Sequence, residues 1–200
     1  MRILGVTGGT GTGKSSVCEI LKEQGAKVID ADRITKELQG KEQIVYNEMV
    51  KHFGEDILKD NRELDRKKVA DIVFKDKEKL LKLNYIVHRH VAAEIKKRVQ
   101  EYKEEGCDLV VLDVPIPVEE GFLDTVECIW AVVANVDLRV ERVMNRMNLS
   151  EEEALMRIGA QLTNREYEDI ADVVIVNEGS YEDLEKLVLF ELQRFRARLT

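Results

Sequence analysis

The sequence predicts an α/β fold in which helices flank a five-stranded parallel sheet. Five short apolar segments alternate with helical patterns along the chain. One of them, Leu109–Asp113, is an unbroken apolar run that ends in an acid, as is typical of a central parallel strand that is buried on both faces. Another leads directly into a glycine-rich loop and a helical pattern, which is the order found at phosphate-binding loops.

The first predicted strand contains Ile3, Leu4 and Val6 and leads into Gly8-Gly9-Thr10-Gly11-Thr12-Gly13-Lys14-Ser15. This segment matches the G-x-x-x-x-G-K-[ST] pattern in full. Glycine lets backbone N–H groups approach a phosphate where a side chain would collide. We therefore expect the loop to bind Mg·ATP, with Lys14 on the β- and γ-phosphates and the Ser15 hydroxyl on Mg²⁺. The alternative is a glycine-rich turn that fits the pattern by chance.

The second predicted strand, Lys27-Val28-Ile29, is followed by two acids, Asp30 and Asp32. They lie at the carboxyl end of the strand, where ligands bind in open α/β sheets. We expect Asp32, one strand over from the loop, to orient an acceptor hydroxyl and accept its proton. The alternative is that both acids only cap the next helix.

From Arg33 to Tyr102 the pattern is almost wholly helical. This run is too long for a single crossover, so we interpret residues 33–105 as a helical insertion in which a second substrate could bind. His88 and His90 lie there without acid or cysteine partners at ligand spacing, and no metal site is predicted for them.

Two features mark the carboxyl end of the third predicted strand. Asp113, its last residue, either holds Mg²⁺ through a water or simply ends the strand in solvent, and the sequence leaves both roles open. Pro115 and Pro117 are the only prolines in the chain. Their position predicts a rigid, extended loop beside the site.

The fourth predicted strand, Ile129–Ala134, precedes a helix over Leu138–Met147 that carries three arginines on one face. Arg142 and Arg146 could close over the triphosphate and stabilise negative charge on the transferring phosphoryl group. The role of Arg139 stays open. The alternative for Arg142 and Arg146 is a solvated helix face with ion pairs to Glu141 or Glu153.

A second helix follows, because Ser150 and Glu153 form a capping-box pattern ahead of Ile158 and Leu162. We interpret the two helices as a lid over residues 137–170.

Asp172–Val176 predicts the fifth strand, and Ser180 with Asp183 predicts the cap of a last amphipathic helix that packs on the sheet. The chain is then one domain, residues 1–200, with a core of residues 1–32, 106–136 and 171–200.

Composition narrows the possible partners. The chain has 200 residues, 44% of them hydrophobic, a formal net charge of -8 and three widely spaced cysteines. The acidic charge argues against nucleic-acid binding. No apolar run approaches transmembrane length and no signal-like segment is present, so we expect a cytoplasmic protein without membrane partners. The cysteines are interpreted as buried thiols of a reducing compartment. The oligomeric state stays open, and a monomer is compatible with the sequence.

Taken together, these residues resemble the dephospho-coenzyme A kinase family. The likeness spans nearly the whole chain and rests on Thr7–Ser15 with Val28–Asp32, Phe53-Gly54 with Leu64-Asp65-Arg66, His88, Asp113-Val114-Pro115, Arg142, Arg146, Ala160-Gln161 and Ala171–Asn177.

The resemblance implies a P-loop kinase fold of the nucleotide-kinase type, with a helical acceptor-binding insertion and an arginine-bearing lid. It implies transfer of the γ-phosphate of ATP to the 3′-hydroxyl of dephospho-coenzyme A, the last step of coenzyme A biosynthesis. By position, Gly11–Ser16 would bind ATP and Asp32 would be the catalytic acid. His88, Asp113 and Pro115 would line the acceptor side. Asn177, near the end of the last strand, could approach the adenine.

The chain departs from the typical family pattern at four places. It has His88-Arg89 where the family shows His-Pro, Ile116-Pro117-Val118 where two leucines and an aromatic are usual, Lys36 for an arginine, and Tyr167 for a basic residue. One alternative is therefore another small-molecule or nucleotide kinase with a different acceptor hydroxyl. A second is a non-catalytic, nucleotide-dependent regulator. The sequence lacks the N-K-x-D motif of GTPases.

Overall fold

The computed structural model describes residues 1–73, 75–115 and 117–197. Ile116, between the two prolines, lies outside the described residues. Within these ranges the strands are β1 (Arg2–Thr7), β2 (Lys27–Asp30), β3 (Leu109–Asp113), β4 (Cys128–Val133) and β5 (Val173–Val176). They form one sheet in the order β2-β3-β1-β4-β5. β1 is parallel to both β3 and β4, and β4 is parallel to β5. The predicted five-stranded parallel sheet is confirmed.

The helices differ from their predicted bounds by a few residues. They are α1 (Lys14–Glu23), α2 (Ala31–Leu38), α3 (Ile44–Phe53), α4 (Arg66–Val73), α5 (Lys77–Glu104), α6 (Val136–Met147), α7 (Glu151–Gly159), α8 (Asn164–Asp169) and α9 (Tyr181–Ala197), with a 3₁₀ turn at Glu55–Ile57 and a π turn at Glu119–Leu123. Both halves of the predicted capping box at Ser150 and Glu153 are present. Asn135 caps α6 by accepting from the Asp137 amide, which starts that helix before Leu138.

The sheet order corrects one prediction. β3 lies between β2 and β1, since Val6 of β1 is in register with Asp113 of β3. The expectation that Asp32 follows the strand next to the loop's own strand is therefore wrong. The physical reason is that β3 is buried along its whole length and takes an interior position in the sheet. A crossover connection can leave room for such a strand.

The chain divides into two compact units, one formed by Met1–Ile29 with the chain from Val99 onward, and one formed by Asp30–Arg98. The first unit has its core where α1 and α9 pack against the sheet and each other. Apolar stripes on both helices meet strand side chains that include fully buried Leu4 and Trp130. Leu184, Val188 and Leu192 of α9 belong to this core. The predicted docking of the last helix on the sheet is confirmed.

The second unit is a helical assembly with a core of its own. Its buried members include Tyr46, Met49, Ile57, Val69 and Ile86. The Tyr46 hydroxyl donates to the Arg62 carbonyl at 2.6 Å, so its polar end is satisfied at the edge of the core. Although α5 spans 28 residues, no helix in the described ranges combines the length and the apolar character that crossing a membrane requires.

Cys18, Cys107 and Cys128 lie within the described residues, and none of them forms a disulfide there. Cys18 and Cys128 are buried in the first unit, as expected, whereas Cys107 is only half-buried. Cys107 follows the end of α5 in a turn before β3, and a turn residue is covered on fewer sides than a core residue.

Glu48 of α3 binds two side chains of α5. Its carboxylate accepts hydrogen bonds from Arg89, and His90 Nε2 lies 2.8 Å from the Glu48 carboxylate. The bond to Arg89 contributes most, followed by the bond to His90, and together they lower the pKa of Glu48 to about 2. Because the folded pKa lies below the ordinary value of 4.5, this stabilisation is present above pH 4.5 and is lost as the pH falls towards 2.

We predict that Glu48→Gln lowers the free energy of unfolding at pH 7 by about 1 kcal/mol, since the carboxylate is partly exposed. The difference from the parent protein should shrink as the pH falls from 4.5 to 3. Urea unfolding at the two pH values measures it. Glu55→Gln, which removes an exposed bidentate pair with Arg62, is the matched control and should cost less. An equal loss for Glu48→Gln at pH 7 and pH 3 would contradict the assignment.

Candidate active site

The phosphate loop joins β1 to α1, and its glycines have no room for a side chain. Gly13 has φ +93°, and a Cβ added there would lie 2.0 Å from Asn177 Nδ2. Gly8 has φ +146°, and its added Cβ would lie 2.4 Å from the Val132 carbonyl oxygen. Left-handed backbone and close neighbours both demand glycine at these positions. The loop pattern in the sequence therefore reflects a physical requirement of the folded chain.

The backbone of the loop presents N–H groups that the protein itself does not use. Thr12 bonds back to the Gly9 carbonyl through both its amide and its hydroxyl, which closes the turn. The amides of Gly11, Gly13, Lys14 and Ser15 make no hydrogen bond within the described residues. The last two open α1, whose N-terminus carries a partial positive charge. Such a set of amides forms an anion site.

Lys14 and Asp113 form an ion pair inside the first unit. Both side chains are largely buried, and Asp113 ends β3 with 9% of its surface exposed. The interpretation of Asp113 as a strand end in solvent is therefore wrong, because register places it beside β1 and the loop that follows. In this structure the ammonium group expected on the phosphates has a carboxylate as its partner.

Arg142 and Arg146 of α6 both donate hydrogen bonds to the phosphate loop, Arg142 from a half-buried position and Arg146 from an exposed one. Arg142 Nη1 donates to the Asn177 carbonyl at 3.1 Å and to the Gly11 carbonyl at 3.3 Å. Arg146 Nη2 donates to the Thr10 hydroxyl at 3.2 Å. Both arginines line a cavity of about 280 Å³ that is also bounded by Gly11, Gly13, Ser16, Asn177, Gly179, Tyr181 and Leu184. Within the described residues neither arginine forms the ion pair with a glutamate that the alternative expected, although Arg146 is exposed to solvent.

Asn177 binds the backbone of the phosphate loop through its side chain. Its side chain is buried, with 6% exposed, and its Nδ2 donates to the Thr12 carbonyl at 2.8 Å. The side chain that the sequence suggested for the adenine thus holds the loop backbone in this structure. Asn177 also borders the cavity beside the two arginines.

Sequence reasoning assigned no role to three residues that contact the loop or its surroundings. Arg139 is fully buried, and its Nε donates to the Thr10 carbonyl at 3.0 Å. Gln161 accepts from the Thr10 amide at 2.6 Å. Tyr167 is fully buried as well, and its hydroxyl donates to the Pro115 carbonyl at 2.8 Å. The available signals were the helix face that Arg139 shares with Arg142 and Arg146, and the Ala160-Gln161 pair of the family resemblance.

In the second unit the two predicted acids have different positions. Asp30 is the N-cap of α2 and accepts from the Arg33 amide at 2.9 Å, as the capping alternative expected. Asp32 lies in the first turn of α2 and lines a cavity of about 450 Å³. His88 lines the same cavity, whose walls are mostly apolar: Met49, Leu64, Val69, Val73, Leu80, Leu83 and Val87. The structure therefore brings Asp32 and His88 together.

A basic groove adjoins this apolar cavity. It has a volume of about 550 Å³, and its lining has more cations than acids: Lys36, Lys41, Lys59, Arg66 and Lys67 against Glu63 and Asp65. Lys36, Gln39, Leu64 and Arg66 line both spaces. Lys36 and Arg66 thus lie where the apolar cavity meets the basic groove. This arrangement suits a ligand that has an apolar part and an anionic part.

His88 and its neighbour Arg89 lie in different environments. Burial lowers the pKa of His88, so the imidazole is neutral at pH 7. Arg89 lies over the Tyr85 ring, 5.1 Å from its centroid, and binds Glu48. The arginine that replaces the family's usual proline therefore joins α5 to α3. In the described ranges no group of three His, Cys, Asp or Glu side chains could hold a metal ion.

We predict that Gly13→Ala abolishes measurable binding of a nucleoside triphosphate, because the new Cβ would collide with Asn177. Gly25→Ala is the matched control, since Gly25 has φ +88° but nothing within 4 Å of an added Cβ. The control should cost about 1–2 kcal/mol of stability and keep the affinity. Calorimetric titration with a non-hydrolysable ATP analogue measures both. Equal affinities for the two variants would contradict the role of close packing at Gly13.

Comparison with known proteins identifies the family. The family model described as dephospho-CoA kinase matches residues 2–183. A curated dephospho-CoA kinase from Carboxydothermus hydrogenoformans is 40% identical over 194 residues, which cover 97% of this chain and 94% of that protein. The crystal structure of TT1252 from Thermus thermophilus has a TM-score of 0.77 at 33% identity and covers 100% of this chain and 98% of its own. Dephospho-CoA kinase from Campylobacter jejuni has a TM-score of 0.69 at 27% identity, with 98% of each chain covered. The chain therefore belongs to the dephospho-CoA kinase family and has the fold of the P-loop kinases.

Proposed function

We propose that this protein transfers the γ-phosphate of ATP to the 3′-hydroxyl of dephospho-CoA, which yields CoA and ADP. The observation that carries the proposal is the cavity of the second unit. There Asp32 and His88 share a wall with apolar side chains, and two cations stand at the junction with a basic groove. Family membership and the open amides of the phosphate loop support the same reaction.

The loop supplies the donor site. Its unpartnered amides and the N-terminus of α1 fit the β-phosphate, and Lys14 is within the same unit to bind the β- and γ-phosphates. Arg142 and Arg146 border the adjoining cavity with donors that now bind neutral oxygens. Phosphate oxygens are stronger acceptors for a guanidinium group than carbonyl or hydroxyl oxygens. We therefore assign these two arginines to the triphosphate and Asn177 to the support of its loop.

The second unit supplies the acceptor site. Dephospho-CoA consists of an adenosine, a diphosphate and a long pantetheine arm. The apolar walls around Val69, Leu83 and Val87 fit the arm, and the cations Lys36 and Arg66 fit the diphosphate. Neutral His88 can exchange hydrogen bonds with the ribose or the arm. Residues 33–105 are accordingly our proposed acceptor-binding insertion, and residues 137–170 our proposed lid.

Asp32 is the proposed group that handles the proton. It orients the 3′-hydroxyl, whose oxygen forms a bond to the γ-phosphorus while the bond from that phosphorus to the ADP oxygen breaks. The hydroxyl proton passes to the Asp32 carboxylate. Because phosphoryl transfer depends mainly on positioning and charge stabilisation, the cations of the loop and lid carry most of the catalysis.

Mg²⁺ is the metal that we propose for the donor site. Mg²⁺ keeps several waters and takes one or two protein oxygens beside those of the nucleotide, so no cluster of acids is needed. The exposed hydroxyl of Ser15 in the first turn of α1 has the right chemistry, and the Asp113 carboxylate at the end of β3 offers a second oxygen donor. When bound, the ion would neutralise charge on the phosphates. Asp113 and Pro115 also remain our candidates for contacts with the acceptor.

We predict that the protein with Mg·ATP releases ADP only when dephospho-CoA is present, because the acceptor hydroxyl and not water is the bound nucleophile. A coupled assay of ADP measures turnover, and ATP alone gives the background. Shikimate and a nucleoside monophosphate serve as control acceptors. Turnover with a control acceptor but not with dephospho-CoA would favour a different small-molecule kinase, and none with any acceptor would favour a regulator.

We predict that Asp32→Asn keeps the affinity for the ATP analogue and loses turnover by about 10²–10⁴-fold, as expected for loss of a general base. Asp30→Asn is the matched control, since an asparagine retains the helix cap that Asp30 provides. Steady-state rates and calorimetry on the same preparations separate catalysis from binding. Undiminished turnover in Asp32→Asn would remove Asp32 from this role.

A further inference from the structure

Arg139 is the most deeply buried cation beside the phosphate loop. It belongs to α6, and only 2% of its surface is exposed. A Cβ added to Gly9 would lie 2.4 Å from Arg139 Nη2. One added to Gly11 would lie 2.7 Å from the Arg139 carbonyl oxygen. Arg139 therefore packs directly against the loop backbone at two glycines.

The guanidinium group of Arg139 has only neutral partners. Its Nε donates to the Thr10 carbonyl, and its Nη1 donates to Asn164 Oδ1 at 3.0 Å. Its Nη2 is buried and has no hydrogen-bond partner among the described residues. No ion pair of Arg139 occurs within the described ranges. The nearby Tyr167 is uncharged at pH 7, since the ordinary pKa of its phenol is 10 and burial raises that pKa further.

A buried charge without a counter-ion is costly, and proteins normally pair it or discharge it. Burial does lower the pKa of Arg139, but an arginine begins so high that the group stays charged at pH 7. The other cation buried at the loop, Lys14, has its carboxylate partner in Asp113. The uncompensated charge of Arg139 thus lies beside a loop whose open amides suit an anion.

We propose that Arg139 is a positioning residue of the phosphate loop, and that its buried charge has the bound triphosphate as its counter-ion. Through Nε it fixes the Thr10 carbonyl while Gln161 fixes the Thr10 amide, so both backbone groups of this loop residue are held. Its charge then acts on the phosphates across the thin glycine backbone, where few polar atoms screen it. The inference rests on ATP as the donor and is independent of the acceptor.

This arrangement couples stability to binding. Without nucleotide, the unpaired charge lowers the stability of the first unit. With the triphosphate bound, the same charge is compensated, so part of the binding free energy comes from relief of that penalty. Removal of the charge should therefore stabilise the free protein and weaken triphosphate binding at the same time. A purely structural arginine would do the opposite to stability and would leave charge-dependent affinity unchanged.

The test uses Arg139→Gln and Arg139→Met in the full chain. Glutamine keeps a neutral donor for the Thr10 carbonyl, whereas methionine keeps only the apolar stem. For both variants we expect the affinity for a non-hydrolysable ATP analogue to fall by about tenfold to a hundredfold. The affinity for AMP should change by less than about threefold, since AMP brings less negative charge to the loop than the triphosphate analogue does. The melting temperature without nucleotide should stay equal to the parent value or rise.

Arg165→Gln is the control, because Arg165 is an exposed residue of α8 whose ion pair is with Asp169. It should match the parent protein in every measurement. Calorimetry and thermal melting are done without any acceptor, so failure of the proposed acceptor would not affect the outcome. Parent-like affinity in Arg139→Gln with loss only in Arg139→Met would overturn the proposal, since a hydrogen bond alone would then account for the residue. Equal losses for the ATP analogue and AMP would also overturn it.

Discussion

The site depends on one backbone loop in which several N–H groups make no hydrogen bond within the described residues and are therefore available to an anion. The glycines of the loop between β1 and α1 lie close to Val132 and Asn177, and the amides of Gly11, Gly13, Lys14 and Ser15 make no hydrogen bond within the described residues. Side chains from distant parts of the chain fix its shape: Asn177 holds the Thr12 carbonyl, and Arg139 and Gln161 hold the two polar groups of Thr10. The free energy of folding therefore prepares the donor site before nucleotide arrives, which reduces the cost of ordering on binding.

In our proposal the second unit recognises a long substrate that is apolar at one end and anionic at the other. Its helices bury a core of their own and leave an apolar cavity beside a basic groove. Asp32 and His88 lie at that cavity, and burial keeps the imidazole neutral. Two departures from the family pattern lie in this unit. Lys36, where an arginine is usual, retains a cation at the junction of the cavity and the groove. Arg89, where a proline is usual, forms an ion pair with Glu48. Neither departure removes a charge that the proposed acceptor needs.

Local patterns in the sequence predicted the local parts of the structure. The loop motif, the five apolar runs and the caps at Ser150 and Ser180 depend on residues close together in the chain, and each occurs where it was expected. What escaped prediction depends on distant contacts. The position of β3 between β2 and β1, the burial of Arg139 behind the loop, and the bond from Tyr167 to Pro115 all arise from packing of segments far apart in sequence. A helix face rich in arginine resembles a solvated surface until the loop that it covers is known.

The central claim is that a phosphoryl group moves from nucleotide on this loop to one hydroxyl of dephospho-CoA. The most direct measurement is ³¹P nuclear magnetic resonance of the products formed from ATP and dephospho-CoA. We expect a new phosphomonoester signal coupled to the 3′ proton of the ribose, in amounts equal to the ADP formed. A signal from inorganic phosphate alone, or a phosphomonoester on any other hydroxyl, would contradict the claim.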